Sequence, residues 1–347
     1  MSAAIQLSKE EVFKDLDHTS QKRCYILDSE NAQALSLASH LRAAGFIVEK
    51  SSYKFLEHVN PSHEFLETII TLLNEGVYVI PTGVLSTRWL LSNVNTIKFG
   101  DLIFSAENLK VYNKFWLLDV AQKLNVPIPQ TYMNIQNIPA YMKSVFYKNN
   151  TEGANKRLGI LDLPAKDDFN CNGLLFQEII TGHDTYGVGF IAENGIILTL
   201  APHHEIISSP ALGGSAAVIE KFHDSRLLDY TTRLVQELKY TGWGLAEYKF
   251  CDTRNDFVLM EINAKFWASL EFTLQAYPEF SKCLMGKKVY NSSVKNMIFL
   301  DRLLLTSPST FLKRLWEYRY CTLHCEYRSL LKRLVKFFVR GFSKSQY

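Results

Sequence analysis

Glu247-Tyr-Lys-Phe-Cys251, a polar break over Asp252 to Asp256, then Phe257-Val-Leu-Met-Glu261-Ile-Asn263-Ala-Lys265-Phe-Trp267: this stretch decides how the 347-residue chain is read. Two runs of β-forming residues flank Asp252-Thr-Arg-Asn-Asp256, a hairpin signature. Each run carries a carboxylate. Asn263 lies two residues beyond Glu261, and side chains two apart on a strand share a face. Two carboxylates and an amide oxygen on one face form a hard oxygen set suited to Mg²⁺ beside a phosphate. Lys265, one period further, is placed to meet a phosphate oxygen. The plain alternative is a solvated edge hairpin. Against it, Glu261 sits between Met260 and Ile262, where a carboxylate without a partner is costly.

The composition suits a large folded core with two or three subdomains: 47 % of residues are hydrophobic and 21 % charged. A net charge of +3 gives no general reason to expect nucleic acid as a partner. Six cysteines are scattered without paired spacing, and no second pair completes a zinc site beside Cys321 and Cys325. A reduced, cytoplasmic setting is the expectation. No signal-peptide core follows Lys9, Glu10 and Glu11, and no apolar run is long enough to span a bilayer.

Residues 1–21 form a polar lead, with a short helix expected over Ser8 to Leu16. From Arg23 to Ser92, strands at Arg23–Asp28, Phe46–Lys50 and Val77–Ile80 alternate with helices at Ala32–Ala44, His63–Leu73 and Val84–Ser92. That alternation predicts an open parallel sheet. Ser29-Glu-Asn31 follows the first strand where a dinucleotide site would need glycines, so NAD is not expected. Thr82 and Gly83 fall at the carboxyl edge of this sheet, where substrate contacts are common. Further on, Asn113-Lys114 opens a helix to Leu124, Val145–Lys148 is a strand, and Asn149 to Gly159 is a polar loop. Asn194-Gly195 between apolar runs marks another hairpin. His203 and His204 are adjacent, so on a strand they face opposite sides and do not easily serve one ion. Ser209–Val218 is a loop, Ser225–Lys239 a helix, and a helix beginning at Phe266 follows the carboxylate strand.

Glu261-Ile-Asn263-Ala-Lys265-Phe-Trp267-Ala-Ser269 resembles the metal-binding strand of the ATP-grasp family, particularly the branch of carbamoyl-phosphate synthase and biotin carboxylase. The resemblance extends over residues 109–284, is looser over 22–108 and fades after 290. It implies an ATP-grasp fold of α/β and α+β character. An N-terminal α/β domain (22–108) would precede a nucleotide-binding domain (109–290), with a basic amphipathic helical extension (291–347) after it. It implies ATP with Mg²⁺, or Mn²⁺ in its place, held by Glu247, Glu261 and Asn263. Lys114 and Lys148 would approach the phosphates under a loop containing Gly153, Asn155, Lys156, Arg157 and Gly159. The segment Gln177-Glu178-Ile-Ile180-Thr-Gly182-His-Asp184 would bind the nucleoside, with Glu178 and Ile180 on the purine and Asp184 at the ribose. Lys265 stands where the family often has arginine, keeping charge without the bidentate fork, and Asp184 replaces a glutamate.

The implied activity is an ATP-dependent carboxylate–amine or related ligase. A substrate carboxylate forms an acyl phosphate, a nucleophile attacks it, and ADP and phosphate leave; Lys148, Lys265 and Glu261 would act at the reacting centre. A small-molecule kinase and a non-catalytic nucleotide-binding regulatory protein are the alternatives. The expected partners are a small-molecule carboxylate and an amine or other nucleophile. A homo-oligomer and contact of residues 311–342 with a membrane surface or a partner protein are left open.

Overall fold

The computed structural model describes residues 22–57, 60–151, 157–164, 169–180, 184–209, 214–287, 289, 294–306 and 321–325. The polar lead, Gly153, Asn155, Lys156, Gly182, Ala211 to Gly213 and the basic stretches after Phe311 and Leu330 lie outside them.

The chain begins as the alternation predicts: β1 (Arg23–Ile26), α1 (Ala32–Ala43), β2 (Ile47–Lys50), α2 (His63–Asn74), β3 (Tyr78–Ile80) and α3 (Val84–Asn93). The three strands form a parallel sheet in the order β2-β1-β3. Gly45, at φ +88°, ends α1 in the left-handed conformation that a side chain would disfavour. A hairpin the sequence reading did not anticipate follows, β4 (Thr96–Phe99) and β5 (Leu102–Ser105), turning at Gly100 with φ +62°.

Helix α4 (Lys114–Lys123) is capped by Asn113, whose side chain accepts from Trp116 N at 3.1 Å. A small antiparallel sheet comes next: β6 (Thr131–Tyr132), β7 (Ser144–Asn149), β8 (Leu158–Asp162) and β9 (Leu174–Gln177), in the order β6-β9-β7-β8. Leu158 and Gly159 belong to β8, so the polar loop ends before them. A Cβ at Gly159 would meet the Tyr147 hydroxyl at 2.8 Å, so the close crossing of β7 and β8 depends on the glycine.

The large sheet is built from β10 (Thr185–Glu193), β11 (Ile196–Ser209), β12 (Ser215–Lys221), β13 (Gly242–Cys251) and β14 (Asp256–Asn263). Helix α5 (Ser225–Glu237) lies between β12 and β13. Asn194 and Gly195, both at positive φ, make the β10–β11 turn the sequence signalled. After α6 (Leu270–Ala276) and α7 (Pro278–Met285) come β15 (Asn296–Phe299), α8 (Leu300–Thr306) and β16 (Thr322–His324). The seven strands run β14-β13-β10-β11-β12-β15-β16, so the sheet continues past residue 290 into the region read as an extension. Helix α6 starts at Leu270 rather than Phe266, because Phe266 and Trp267 are buried in the turn that follows β14.

One core cluster joins the N-terminal unit to this sheet. Trp243 of β13 stacks on Phe266 at 4.8 Å and meets Phe104 of β5 at 4.9 Å, contacts that add about 0.5–1.5 kcal/mol per pair beyond area burial. Strand β14 is an edge strand. The connection from α4 to β6 runs along it, with Leu259 N donating to Pro127 O at 2.8 Å and Arg254 to Ile128 O at 2.9 Å. Among the described residues, no helix is long and apolar enough to cross a membrane.

Candidate functional site

In the β13–β14 pairing Glu247 stands opposite Glu261, and the register shifts immediately after it, between Glu247 and Tyr248. The alternation anticipated for Glu261 and Asn263 is present. Asn263 Nδ2 donates to Glu247 Oε1 at 2.9 Å and approaches Glu261 Oε1 at 3.4 Å. A half-turn of the amide would present its oxygen to the same point.

Two lysines from other elements close on Glu261. Lys114, the first residue of α4 and 4 % exposed, places Nζ 3.3 Å from Glu261 Oε2. Lys148 of β7 places Nζ 3.7 Å from the same oxygen and donates to Met260 O at 3.0 Å. These positions are built in locally. Lys114 N donates to Asn150 O and Phe115 N to the Asn150 side chain, both at 2.9 Å, which fastens the start of α4 to the end of β7. Tyr112 donates to Ala264 O at 2.8 Å, tying the same segment to the end of β14. Lys265 adds its charge to the field at both carboxylates.

The two glutamates are pushed apart. Burial alone would raise Glu261, but Lys114, Lys148 and Lys265 outweigh it and hold Glu261 well below the usual carboxylate range. Burial, the Glu261 charge and Glu205 raise Glu247 against the pull of Lys265 and Lys148. The surroundings therefore favour the charge on Glu261 and disfavour it on Glu247. This oxygen set fits a divalent cation, which would relieve the crowding of the two carboxylates. Among the described residues, no group of three or more His, Cys, Asp and Glu side chains is arranged to hold a metal, so the amide is needed to complete the set.

The sheet extends this cluster. Glu247 pairs with Gly187, which pairs with His203. His203 is fully buried, and burial lowers it to about 4. Its Nε2 lies 3.9 Å from Glu205 Oε1. Burial raises Glu205 to about 7 against the nearby Arg302. Arg302 is itself 8 % exposed and donates to Ala216 O at 2.6 Å and Ala268 O at 2.7 Å. Sequence reasoning assigned no role to Glu205 or Arg302. Alternation with His203 was the available signal for Glu205; for Arg302 there was none, since β15 and α8 place it.

In the expected nucleoside segment, Gln177 is buried and donates to Thr131 Oγ1 at 3.1 Å. The Glu178 carboxylate pairs with Arg254 and accepts from Gln130 N at 3.1 Å. Ile180 packs with Cys251, Val258 and Met260, at the junction of the two sheets. Asp184 accepts from His204 at 3.0 Å. The histidines do part, His203 toward Glu205 and His204 onto Tyr186. At the other sheet edge, Thr82 and Gly83 are occupied internally: Gly83 N donates to Asp28 at 2.9 Å and Thr82 Oγ1 to Leu27 O at 3.1 Å. An open cavity of about 400 Å³ lined in part by Leu200, Phe222 and Tyr277 shares none of the expected site residues.

No protein-family model matches the chain, and no curated protein matches its sequence. Solved structures match its fold. N5-carboxyaminoimidazole ribonucleotide synthetase in its ADP complex is 14 % identical, with 89 % of this chain and 88 % of that chain covered and a TM-score of 0.59. An Archaeoglobus fulgidus protein assigned to the ATP-grasp superfamily is 16 % identical, with 80 % and 91 % covered and a TM-score of 0.51. Rhizobium etli pyruvate carboxylase T882A with acetyl coenzyme A is 9 % identical with a TM-score of 0.57; 79 % of this chain is covered, but it spans only 29 % of that chain.

Proposed function

Starting from the ATP-grasp fold that these likenesses share, we propose that the protein is a Mg²⁺- and ATP-dependent ligase joining a small-molecule carboxylate to an amine or related nucleophile. The observation that carries this reading is the meeting of Lys114 and Lys148 at Glu261, beside Glu247 and Asn263. Within the cluster the lysines pair with Glu261 and the Asn263 amide with Glu247. Nucleotide phosphates would take the lysines, and Glu247, Glu261 and Asn263 would hold the cation. The bound Mg²⁺, or Mn²⁺, supplies charge neutralisation at the phosphate oxygens.

The residues then have distinct work. Lys114 and Lys148 orient the phosphates and offset charge as the substrate carboxylate attacks the γ-phosphorus, ADP leaves and an acyl phosphate forms. Lys265, whose charge acts on both carboxylates, would offset the same charge from the end of β14. The amine then attacks the acyl carbon and phosphate departs. Glu178, Ile180 and Asp184 would line the nucleoside, and the covering loop would include Asn155 and Lys156. The Glu-Ile-Asn-Ala-Lys run supports placing the chain near the carbamoyl-phosphate synthase and biotin carboxylase branch.

Purified protein with ATP, Mg²⁺ and pooled metabolites and amino acids should yield ADP and a mass-shifted condensed product. Glu247→Gln keeps the side chain's volume at a position where burial and Glu261 already disfavour charge, so it should keep the fold and lose at least about a hundredfold in turnover. Unchanged phosphate release in this variant would refute the site assignment. A phosphorylated product without condensation would replace the ligase by a kinase.

A further inference from the structure

We propose that His203 and Glu205 form the subsite of the attacking nucleophile and that this nucleophile is a primary amine; this rests on the ligase reading above. The two residues lie on β11, two apart and so on one face of the sheet. It is the face of Glu247, because His203 pairs with Gly187 and Gly187 with Glu247. The histidine ring fills the place that a side chain at Gly187 would take, since a Cβ there would run into Nε2. The ring thus reaches across β10 toward β13.

The pair selects a ligand that donates. Nδ1 lies 3.4 Å from Ala201 O, and a carbonyl only accepts, so Nδ1 carries the hydrogen. Burial keeps the ring neutral, and Nε2 then presents a lone pair. Nε2 is buried with no hydrogen-bond partner among the described residues, a cost that a bound donor removes. Glu205 Oε2 accepts from Ser208 at 3.4 Å, while Oε1 stands 3.9 Å from Nε2. That gap is too wide for a direct hydrogen bond. A nitrogen about 2.9 Å from both atoms bridges it and gives one N–H to each. Ionised phosphates and carboxylates are acceptors themselves, and a hydroxyl has one hydrogen for two acceptors. A primary amine answers both.

The position suits the attacking group. Lys114 and Lys148 gather at Glu261 on the β14 side, where the phosphates would bind. The acceptor pair lies on the opposite side of Glu247, on a strand two spacings away, roughly 10 Å along the sheet. An amine held there stands beside an acyl group at the cation without entering the phosphate site. Glu205 adds to the field at Glu247, and Arg302 offsets the Glu205 charge.

Imidazole ¹⁵N NMR of the whole protein without nucleotide should show His203 neutral, with its hydrogen on Nδ1; a hydrogen on Nε2 overturns the proposal. Methylammonium chloride is the probe for the subsite. It should shift the His203 Nε2 resonance saturably, whereas sodium acetate and methanol should leave it in place. Glu205→Gln keeps volume and removes charge, so loss of one charge-assisted hydrogen bond predicts about tenfold weaker methylammonium binding. An equal response to methylammonium and methanol, or a saturable shift with Zn²⁺ alone, overturns the amine assignment. Product analysis separates this proposal from the reading beneath it. A condensed product joined through oxygen or carbon overturns the amine subsite and leaves the ligase standing. ATP turned over without condensation, with methylammonium still bound at His203, overturns the ligase reading alone.

Discussion

Glu261→Gln tests the electrostatics of the site without any ligand. The substitution keeps volume and removes the charge that Lys114 and Lys148 approach at 3.3 and 3.7 Å. Taking one partner from a buried ion pair costs about 3–5 kcal/mol, because the remaining charge stays desolvated. Two features reduce the cost here. Glu261 is 21 % exposed at its side chain, and Glu247, freed from the Glu261 charge, can ionise and supply part of the missing countercharge. We therefore expect a loss of about 3 kcal/mol, near the lower end of that range. Urea unfolding at neutral pH, followed by far-UV circular dichroism, measures it as a lower midpoint with an unchanged slope. Lys114→Met combined with Glu261→Gln should recover about half of the loss, since charge and countercharge are then removed together. Unchanged stability of Glu261→Gln within about 0.5 kcal/mol would refute the reasoning.

Two further outcomes follow from the packing. Gly187→Ala would drive a Cβ into the His203 ring and to 3.0 Å from Leu245, so it should cost about 1–3 kcal/mol by overpacking; pairing it with His203→Ala should restore most of the loss in the same unfolding assay. Glu271 of α6 bonds to His40 of α1 at 3.1 Å. Burial would raise Glu271, but the His40 bond and the His40 and His324 charges hold it at about 2, against 4.5 ordinarily. Its contribution, on the order of 3 kcal/mol, is present above pH 4.5 and lost as pH falls toward about 2. The stability gap between wild type and Glu271→Gln should close over that window, and a pH-independent gap would count against the ion pair.

What could be read from the sequence was local. The Glu261–Asn263 alternation, the Asn113 cap that starts the helix at Lys114, and the Asn194-Gly195 turn each depend on neighbours in the chain. The contacts that make the site depend on distant partners. Nothing near Lys114 or Lys148 says that both meet Glu261, and no local pattern reveals the register shift after Glu247. The pairing of Glu178 with Arg254 was hidden because it crosses from one sheet to the other. Arg302 was hidden for a different reason: β15 pairs with β12 and β16 with β15, short strands whose pairing is set by topology, not by pattern.

The connection through Pro127 and Pro129 has a consequence for solubility. Strand β14 ends the large sheet, and an open strand edge is a template on which a second chain can add. The prolines have no N–H to offer a neighbour, while Pro127 O takes the Leu259 amide from the edge. The tether between the two lobes thus also shields the edge, and a cut within it would expose to self-association the strand that carries Glu261.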